Sequence, residues 1–300
     1  MHAFKKWYNF VMKVLGTGLD GLVGSRIVEL LSDKYEFENL SISTGLNITN
    51  RDAVLERIKS SDAQIVLHLA AKTNVDGCEL DKPLGEKGDA WKINVSGTQN
   101  VADACSQTKK KLIYISTDFV FDGTNPPAGG YSEEDIPNPV NWYAKTKYEG
   151  EKIVQRVSCP WLIVRIAYPY RANFGKLDFA RAILKRLQMG ERVLGITDHI
   201  FTPTFIDDIA FALDVLINNN SQGVFHVVGN QSLTPYEAVS LIANEFNLDK
   251  SKINKTTRSE YFNNKAPRPF QLSLKNDKIQ ELGIKMRTLE EGLKEIKRQL

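Results

Sequence analysis

Three pairs in this 300-residue chain have a tyrosine four residues ahead of a lysine: Tyr143–Lys147, Tyr148–Lys152 and Tyr261–Lys265. On a helix that spacing puts phenol and ammonium on one face, a turn apart. The ammonium favours phenolate and lowers a phenol that otherwise titrates at about 10. Such a tyrosine can give a proton to a carbonyl oxygen, or take one back, as a general acid–base. Composition alone yields about one match by chance, so position has to choose. Tyr143 opens the helical stretch 142–156, after a loop (122–141) rich in Gly, Pro, Asn and Asp. A loop of that length is expected on the surface and often serves function. Upstream, Lys111–Ile115 reads as a strand and runs into Ser116-Thr117-Asp118. Thr117 then stands at a strand's carboxyl end, where open α/β sheets bind ligands, and can polarise the oxygen that Tyr143 protonates. Tyr148 lies about 140° further round a helix than Tyr143 and cannot face the same cleft. Tyr261–Lys265 falls in a polar stretch with no strand attached. The chemistry is therefore expected at Thr117, Tyr143 and Lys147.

A second cluster follows the short apolar run Met12–Leu15: Gly16, Gly18, Gly21 and Gly24. Gly16, Gly18 and Gly21 fit G-x-G-x-x-G, while Gly18, Gly21 and Gly24 fit T-G-x-x-G-x-x-G. A strand-to-helix turn that admits a pyrophosphate favours residues without a Cβ. The helix N-terminus, with the N–H groups of Leu22 and Val23, offers partial positive charge to phosphates. Paired with the Tyr–Lys motif, this turn points to a nicotinamide dinucleotide, with Lys147 also holding the nicotinamide ribose. The positive ring of the oxidised cofactor would add to the pull on the Tyr143 phenol. Residues 41–46 (SISTGL) carry no acid to read the adenosine ribose. That absence leans towards NADP(H) over NAD(H), although no arginine stands there either.

The elements that must position these residues alternate in type. Strand patterns are expected at Met12–Leu15, Leu40–Ser43, Gln64–Leu69, Lys111–Ile115, Trp161–Ile166 and Val224–Val228. Helical patterns are expected at 24–31, 51–59 (capped by Asn50), 91–105, 142–156, 177–189 and 207–217. Capping boxes at Thr234–Glu237 and Thr288–Glu291 start two more. The pattern predicts an α/β fold: a Rossmann-type doubly wound parallel sheet with a smaller C-terminal substrate-binding lobe. Residues 1–11 read as an extension, 12–166 as the dinucleotide domain that also receives parts of 200–230, and 167–300 as mainly the substrate lobe, with a cleft between.

The balance of 39 basic and 36 acidic side chains, net +3, argues against nucleic acid as the main partner. No apolar run approaches the ~20 residues of a membrane helix, and MHAFKKWYNFV lacks a signal peptide's apolar stretch. A cytoplasmic protein is expected, for which a homodimer is permitted but not demanded. Cys78, Cys105 and Cys159 stand singly and are read as free thiols. The four histidines form no cluster, so no metal is expected.

Several segments resemble the dTDP-4-dehydrorhamnose reductase group of extended short-chain dehydrogenases. They are STDFVFDG (Ser116–Gly123), PNPVNWYAKTKYEGE (Pro137–Glu151), HLAAKTNVDGCE (His68–Glu79), GLNITN (Gly45–Asn50) and FTPTFIDDIA (Phe201–Ala210). The resemblance implies NAD(P)H-dependent reduction of the 4-keto group of a nucleotide-linked 6-deoxysugar, with Thr117, Tyr143 and Lys147 as the catalytic trio. It implies Ala70, Ala71 and Asn94 along the cofactor, and Asn47 and Ile48 at its adenine. Thr73, Val75, Asp118 and Phe119 would face the sugar, Tyr168 would pack on it, and Arg268 would meet its phosphates. The chain departs from the family in Asn47, where Asp is usual, and in Gly16, where an apolar residue is usual. A nucleotide-sugar epimerase or dehydratase is the second reading; dehydratases carry a carboxylate where Phe119 stands, which argues against dehydration. The segment DGTNPPAGGYSEEDIPNP is also similar to the methionine adenosyltransferase β subunit, which implies a third reading, a cofactor-binding regulatory subunit.

Overall fold

A computed structural model describes residues 11–300, so the expected extension, all but Val11, lies outside the described residues. The first half alternates strand and helix: β1 (Met12–Thr17), α1 (Leu22–Leu31), β2 (Tyr35–Leu40), α2 (Arg51–Ser60), β3 (Ile65–His68) and α3 (Val75–Asp81). Next come α4 (Asp89–Trp91), α5 (Thr98–Thr108), β4 (Lys111–Thr117), α6 (Trp142–Val154) and β5 (Trp161–Ile166). The second half holds β6 (Pro169–Tyr170), α7 (Phe179–Gln188), β7 (Val193–Ile196), β8 (Thr204–Phe205), α8 (Ile206–Asn218) and β9 (Gly223–His226). It ends with α9 (Pro235–Glu245), β10 (Ile253–Thr256), α10 (Arg258–Tyr261), α11 (Asp277–Gln280) and α12 (Leu289–Gln299).

Six strands form one parallel sheet in the order β2-β1-β3-β4-β5-β9. The chain leaves β1 to one side for β2 and returns to the other side for β3. That reversal is a topological switch point, and it opens a crevice beyond the carboxyl ends of the strands. Side chains alternate across the sheet, as a strand's two-residue period requires. Val14, Leu67, Ile113 and Val164 face α1 and α8, where Ile27, Leu31, Ile209 and Leu213 are buried. Leu15, Val66, Leu112 and Ile163 face the opposite layer, built from Val54, Ile58, Val101 and Cys105. Both faces are covered, which is why these strands read as continuous apolar runs. The three cysteines are free and buried.

Two elements differ from expectation. The second strand is Tyr35–Leu40, not Leu40–Ser43; the latter turns into a 3₁₀ segment, Ile42–Thr44. As the edge strand it is only partly covered, so its sequence YEFENL mixes Glu with aromatics and gives no apolar run. The long helix expected over 91–105 is helical throughout but changes pitch, with a π-helical stretch, Lys92–Gly97, between α4 and α5. Lys92 and Ile93 of that stretch reach the main cleft, in keeping with the habit of such bulges to sit at functional sites. Both capping boxes form, at Thr234–Glu237 and Thr288–Glu291.

Helix α6 is seated tightly on the sheet. Its N-cap Asn141 accepts from Ala144 N at 2.8 Å and donates to Pro267 O at 2.9 Å. Gly150 lies against Tyr114 of β4, where a Cβ would stand 2.3 Å from the phenol oxygen. One turn from Lys147, Glu151 accepts two hydrogen bonds from Arg165 of β5, at 2.9 and 2.8 Å. Both partners of this ion pair are buried. Breaking a buried pair leaves the surviving charge desolvated and uncompensated. Glu151→Ala is expected to lower unfolding stability by about 3–5 kcal/mol, read from urea denaturation midpoints. A loss within the range of an exposed salt bridge would contradict the buried pair.

Candidate active site

One cleft of about 1030 Å³ runs along the carboxyl ends of β1–β5. Its phosphate end is the turn after β1. Gly18 has φ +71, a left-handed conformation that suits glycine, and a Cβ there would stand 2.8 Å from Ala70 N. At Gly24 a Cβ would stand 2.5 Å from Gly18 O and 2.7 Å from Leu19 Cα. Gly21 N-caps α1 without any side chain, so the first N–H groups of the helix are left for a ligand. Gly18, Gly21, Leu22, Val23 and Gly24 all line the cleft. The structure therefore selects the Gly18–Gly21–Gly24 register. Gly16 lies within β1, does not line the cleft, and has the Leu19 side chain where its Cβ would be. This cradle, closed to side chains and open to phosphate oxygens, fits a dinucleotide.

Thr117, Tyr143 and Lys147 line the same cleft. The other two Tyr–Lys pairs do not: Lys152 and Lys265 lie over the rings of Tyr148 and Tyr261, at 4.5 and 4.7 Å. Thr117 Oγ donates to Asp118 Oδ1 at 3.0 Å and accepts from Phe119 N at 3.3 Å, which starts a one-turn 3₁₀ helix. The Lys147 ammonium donates to the Ile115 carbonyl at 2.9 Å and sits 4.0 Å from the Tyr114 ring centroid. Burial pulls it down to about 7, partly offset by Glu151. The expected lowering of Tyr143 is corrected by the geometry. Lys147 turns its charge to a backbone carbonyl, and burial raises the phenol well above its ordinary value, with Thr117 pulling the other way and Asp118 adding to the rise.

Beside them lies a wall of apolar and aromatic groups, with the Phe119 ring 6.1 Å from that of Tyr143. Val75, Phe119, Tyr168 and Phe179 line it, with Thr73 alongside. Tyr168 packs on Phe119 and Phe201, with centroids 5.9 and 4.7 Å apart, and has φ +39, a left-handed conformation costly for a bulky residue. Asp118 is only 2% exposed, and its Oδ2 has no hydrogen-bond partner among the described residues. Burial lifts its carboxyl to about 7, against the opposing pull of hydrogen bonds from Thr117 and the Phe119 amide. Ala70, Ala71, Asn47 and Ile48 also line the cleft.

Two expected residues fall outside it. Asn94 is buried and does not line the cleft. Its amide accepts from Lys72 N at 2.7 Å and donates to Lys72 O and Thr146 Oγ, at 3.0 and 2.9 Å, tying the segment after β3 to α6. Arg268 pairs with Asp76 at 2.8 Å and lines a separate cavity of about 500 Å³ with Arg258 and Phe270. The long loop 122–141 stays away from the cleft as well; hydrogen bonds such as Tyr131 N to Ser273 O, 2.8 Å, hold it against residues 270–275. Conversely, Asp20, Ser41, Ser43 and Phe174 line the cleft without having been expected there. Asp20 was readable inside the glycine turn, whereas Phe174 sits in a loop with no local signal.

A phenol and a phosphate cradle facing one another across a parallel switch point mark the nicotinamide-dependent oxidoreductases of the short-chain dehydrogenase class. Within that class the chain belongs to the family described as RmlD substrate binding domain, matched over residues 12–300. It is 31% identical to a dTDP-4-dehydrorhamnose reductase of Aggregatibacter actinomycetemcomitans, over 95% of this chain and 98% of that protein. It is also 31% identical to methionine adenosyltransferase 2 subunit beta of Mus musculus, over 94% and 86%. The crystal structure of a Bacillus anthracis dTDP-4-dehydrorhamnose reductase in complex with NADP superposes with a TM-score of 0.86 at 29% identity, covering 96% of this chain and 99% of that one.

The raised Asp118 carboxyl has a thermodynamic signature. Its folded value of about 7 lies above the about 3.9 of an unfolded chain. The protonated group's contribution to stability is therefore complete below about pH 4 and is lost as pH rises through about 7. Asp118→Asn keeps an acceptor for Thr117 and cannot ionise. Its stability relative to the unsubstituted protein is expected to climb between about pH 4 and about pH 7 and then level off. Urea denaturation across that range checks it; a flat difference would mean that the carboxyl is not raised.

Proposed function

We propose that the protein reduces the 4-keto group of a nucleotide-linked deoxysugar, with Tyr143 as general acid. The observation that carries this reading is the meeting of Thr117, Tyr143 and Lys147 with the glycine cradle in one cleft. A bound reduced nicotinamide supplies the hydride to the carbonyl carbon. Tyr143, kept protonated by burial, gives its proton to the carbonyl oxygen as negative charge develops there. Thr117 holds the same oxygen through its hydroxyl. Lys147, whose ammonium now donates to the Ile115 carbonyl, would hold the nicotinamide ribose of a bound cofactor and, pulled down to about 7, can pass a proton towards the phenol after turnover. The wall of Val75, Phe119, Tyr168 and Phe179 suits the apolar face of a sugar lacking its 6-hydroxyl. Phe119 stands directly after Asp118, the position where a dehydratase would carry a carboxylate, which argues against dehydration. The reductase named among the relatives supports the substrate class.

The test is a panel of dTDP- and other nucleotide-linked 4-ketosugars with each reduced cofactor, followed by the absorbance of the reduced nicotinamide. Oxidation is expected only when such a sugar is present. Tyr143→Phe should lower kcat by about 10²–10⁴-fold while the cofactor Kd stays within about twofold of the original. Undiminished turnover would reject Tyr143 as the acid. Cofactor binding without turnover on any of the sugars would favour a regulatory role, as in the subunit-beta relative.

A further inference from the structure

The adenosine end of the cleft is formed by two segments distant in sequence. One is the phosphate turn. The other is the short stretch after β2. They are joined by side chains: Ser43 Oγ donates to Asp20 Oδ2 at 2.8 Å, Ser41 Oγ and Ser43 Oγ are 2.7 Å apart, and Asn39 Nδ2 donates to Ser41 Oγ at 3.2 Å. Asp20, Ser41 and Ser43 all line the cleft. A dinucleotide whose phosphates rest on the N-terminus of α1 brings its adenosine ribose over the end of β2. The acid that reads a ribose's two hydroxyls ordinarily stands on that strand end. Here the strand stops at Leu40, and a row of hydroxyls leads from there to the carboxylate of Asp20 instead.

We propose that Asp20 is the ribose-reading acid of this protein, and that with Ser43 it selects NADH over NADPH. The Asp20 carboxylate accepts from the ribose hydroxyls, and the Ser43 hydroxyl keeps it aimed there. A 2′-phosphate would meet a like charge in place of a hydrogen-bond acceptor. Neither the turn (16–24) nor the stretch 40–49 contains a lysine or arginine to offset that repulsion. Among the described residues, the lysines that line the cleft, Lys92, Lys147 and Lys176, belong to other elements, and no arginine lines it. The expectation of NADP(H) followed from looking for the acid on β2 alone.

The inference rests on the cleft being a dinucleotide site and is independent of any sugar. The test is therefore titration of the full-length protein with NADH and with NADPH, without substrate, by calorimetry or protein fluorescence. The unsubstituted protein is expected to bind NADH at least about tenfold more tightly. Added salt should narrow that ratio, because the carboxylate is exposed and screened. Asp20→Asn should bring the two Kd values to within about threefold, and Asp20→Arg should invert the preference. Equal binding of the two cofactors, tighter binding of NADPH, or a ratio that Asp20→Arg leaves unchanged would each overturn the role of Asp20. Failure of both cofactors to bind the unsubstituted protein would overturn the dinucleotide site itself.

Discussion

The site depends on how closely helix α6 can approach strand β4. A phenol on the first turn of that helix has to meet a hydroxyl at the end of the strand, and any side chain between the two would hold them apart. Gly150 removes the obstruction by leaving room for the Tyr114 phenol. Contact is then locked on both sides, by Lys147 on the Ile115 carbonyl and by Glu151 on Arg165 of the next strand. The same closeness buries Lys147 and Asp118, and so the direction in which each is shifted is a product of helix packing as much as of residue type.

That burial acts in one direction on every titratable group at the chemical end. Desolvation penalises whichever form is charged. Tyr143 and Asp118 are raised and Lys147 is lowered, each towards neutrality. The chemical end is therefore furnished with groups whose charged forms are disfavoured by burial. The opposite end attracts anions through uncapped backbone N–H groups at the start of α1, without a cationic side chain on the turn. The titratable groups and the glycine cradle thus occupy different segments lining one groove.

What could be read from the sequence was what depends on local spacing. The glycine turn, the Tyr143–Lys147 pair and the hydroxyl closing β4 each lie within a few residues of an element boundary, and all face the cleft. Edge strand β2 was displaced in the reading because partial exposure allows Glu36 and Glu38 to interrupt its apolar pattern. Asn94 and Arg268 show a different limit. A resemblance carries over residue type and position, but their polar atoms are already engaged by Lys72, Thr146 and Asp76. Asp20 has no signal in local spacing, since it meets Ser43, beyond the end of β2, from a turn 23 residues upstream.

Helix α1 joins tasks usually kept apart. Its first turn lines the cleft, and only a turn further on Arg26 grips Asp207 at the start of α8, at 2.7 Å. Arg171, just beyond β6, reaches back to Glu29 at 2.6 Å and to Ser25 at 3.0 Å. A rod ten residues long thus carries the cradle at one end and moorings to the downstream chain along its length. Held at Arg26 and at Glu29, the helix that carries the cradle cannot be repositioned without parting ion pairs to the second half of the chain.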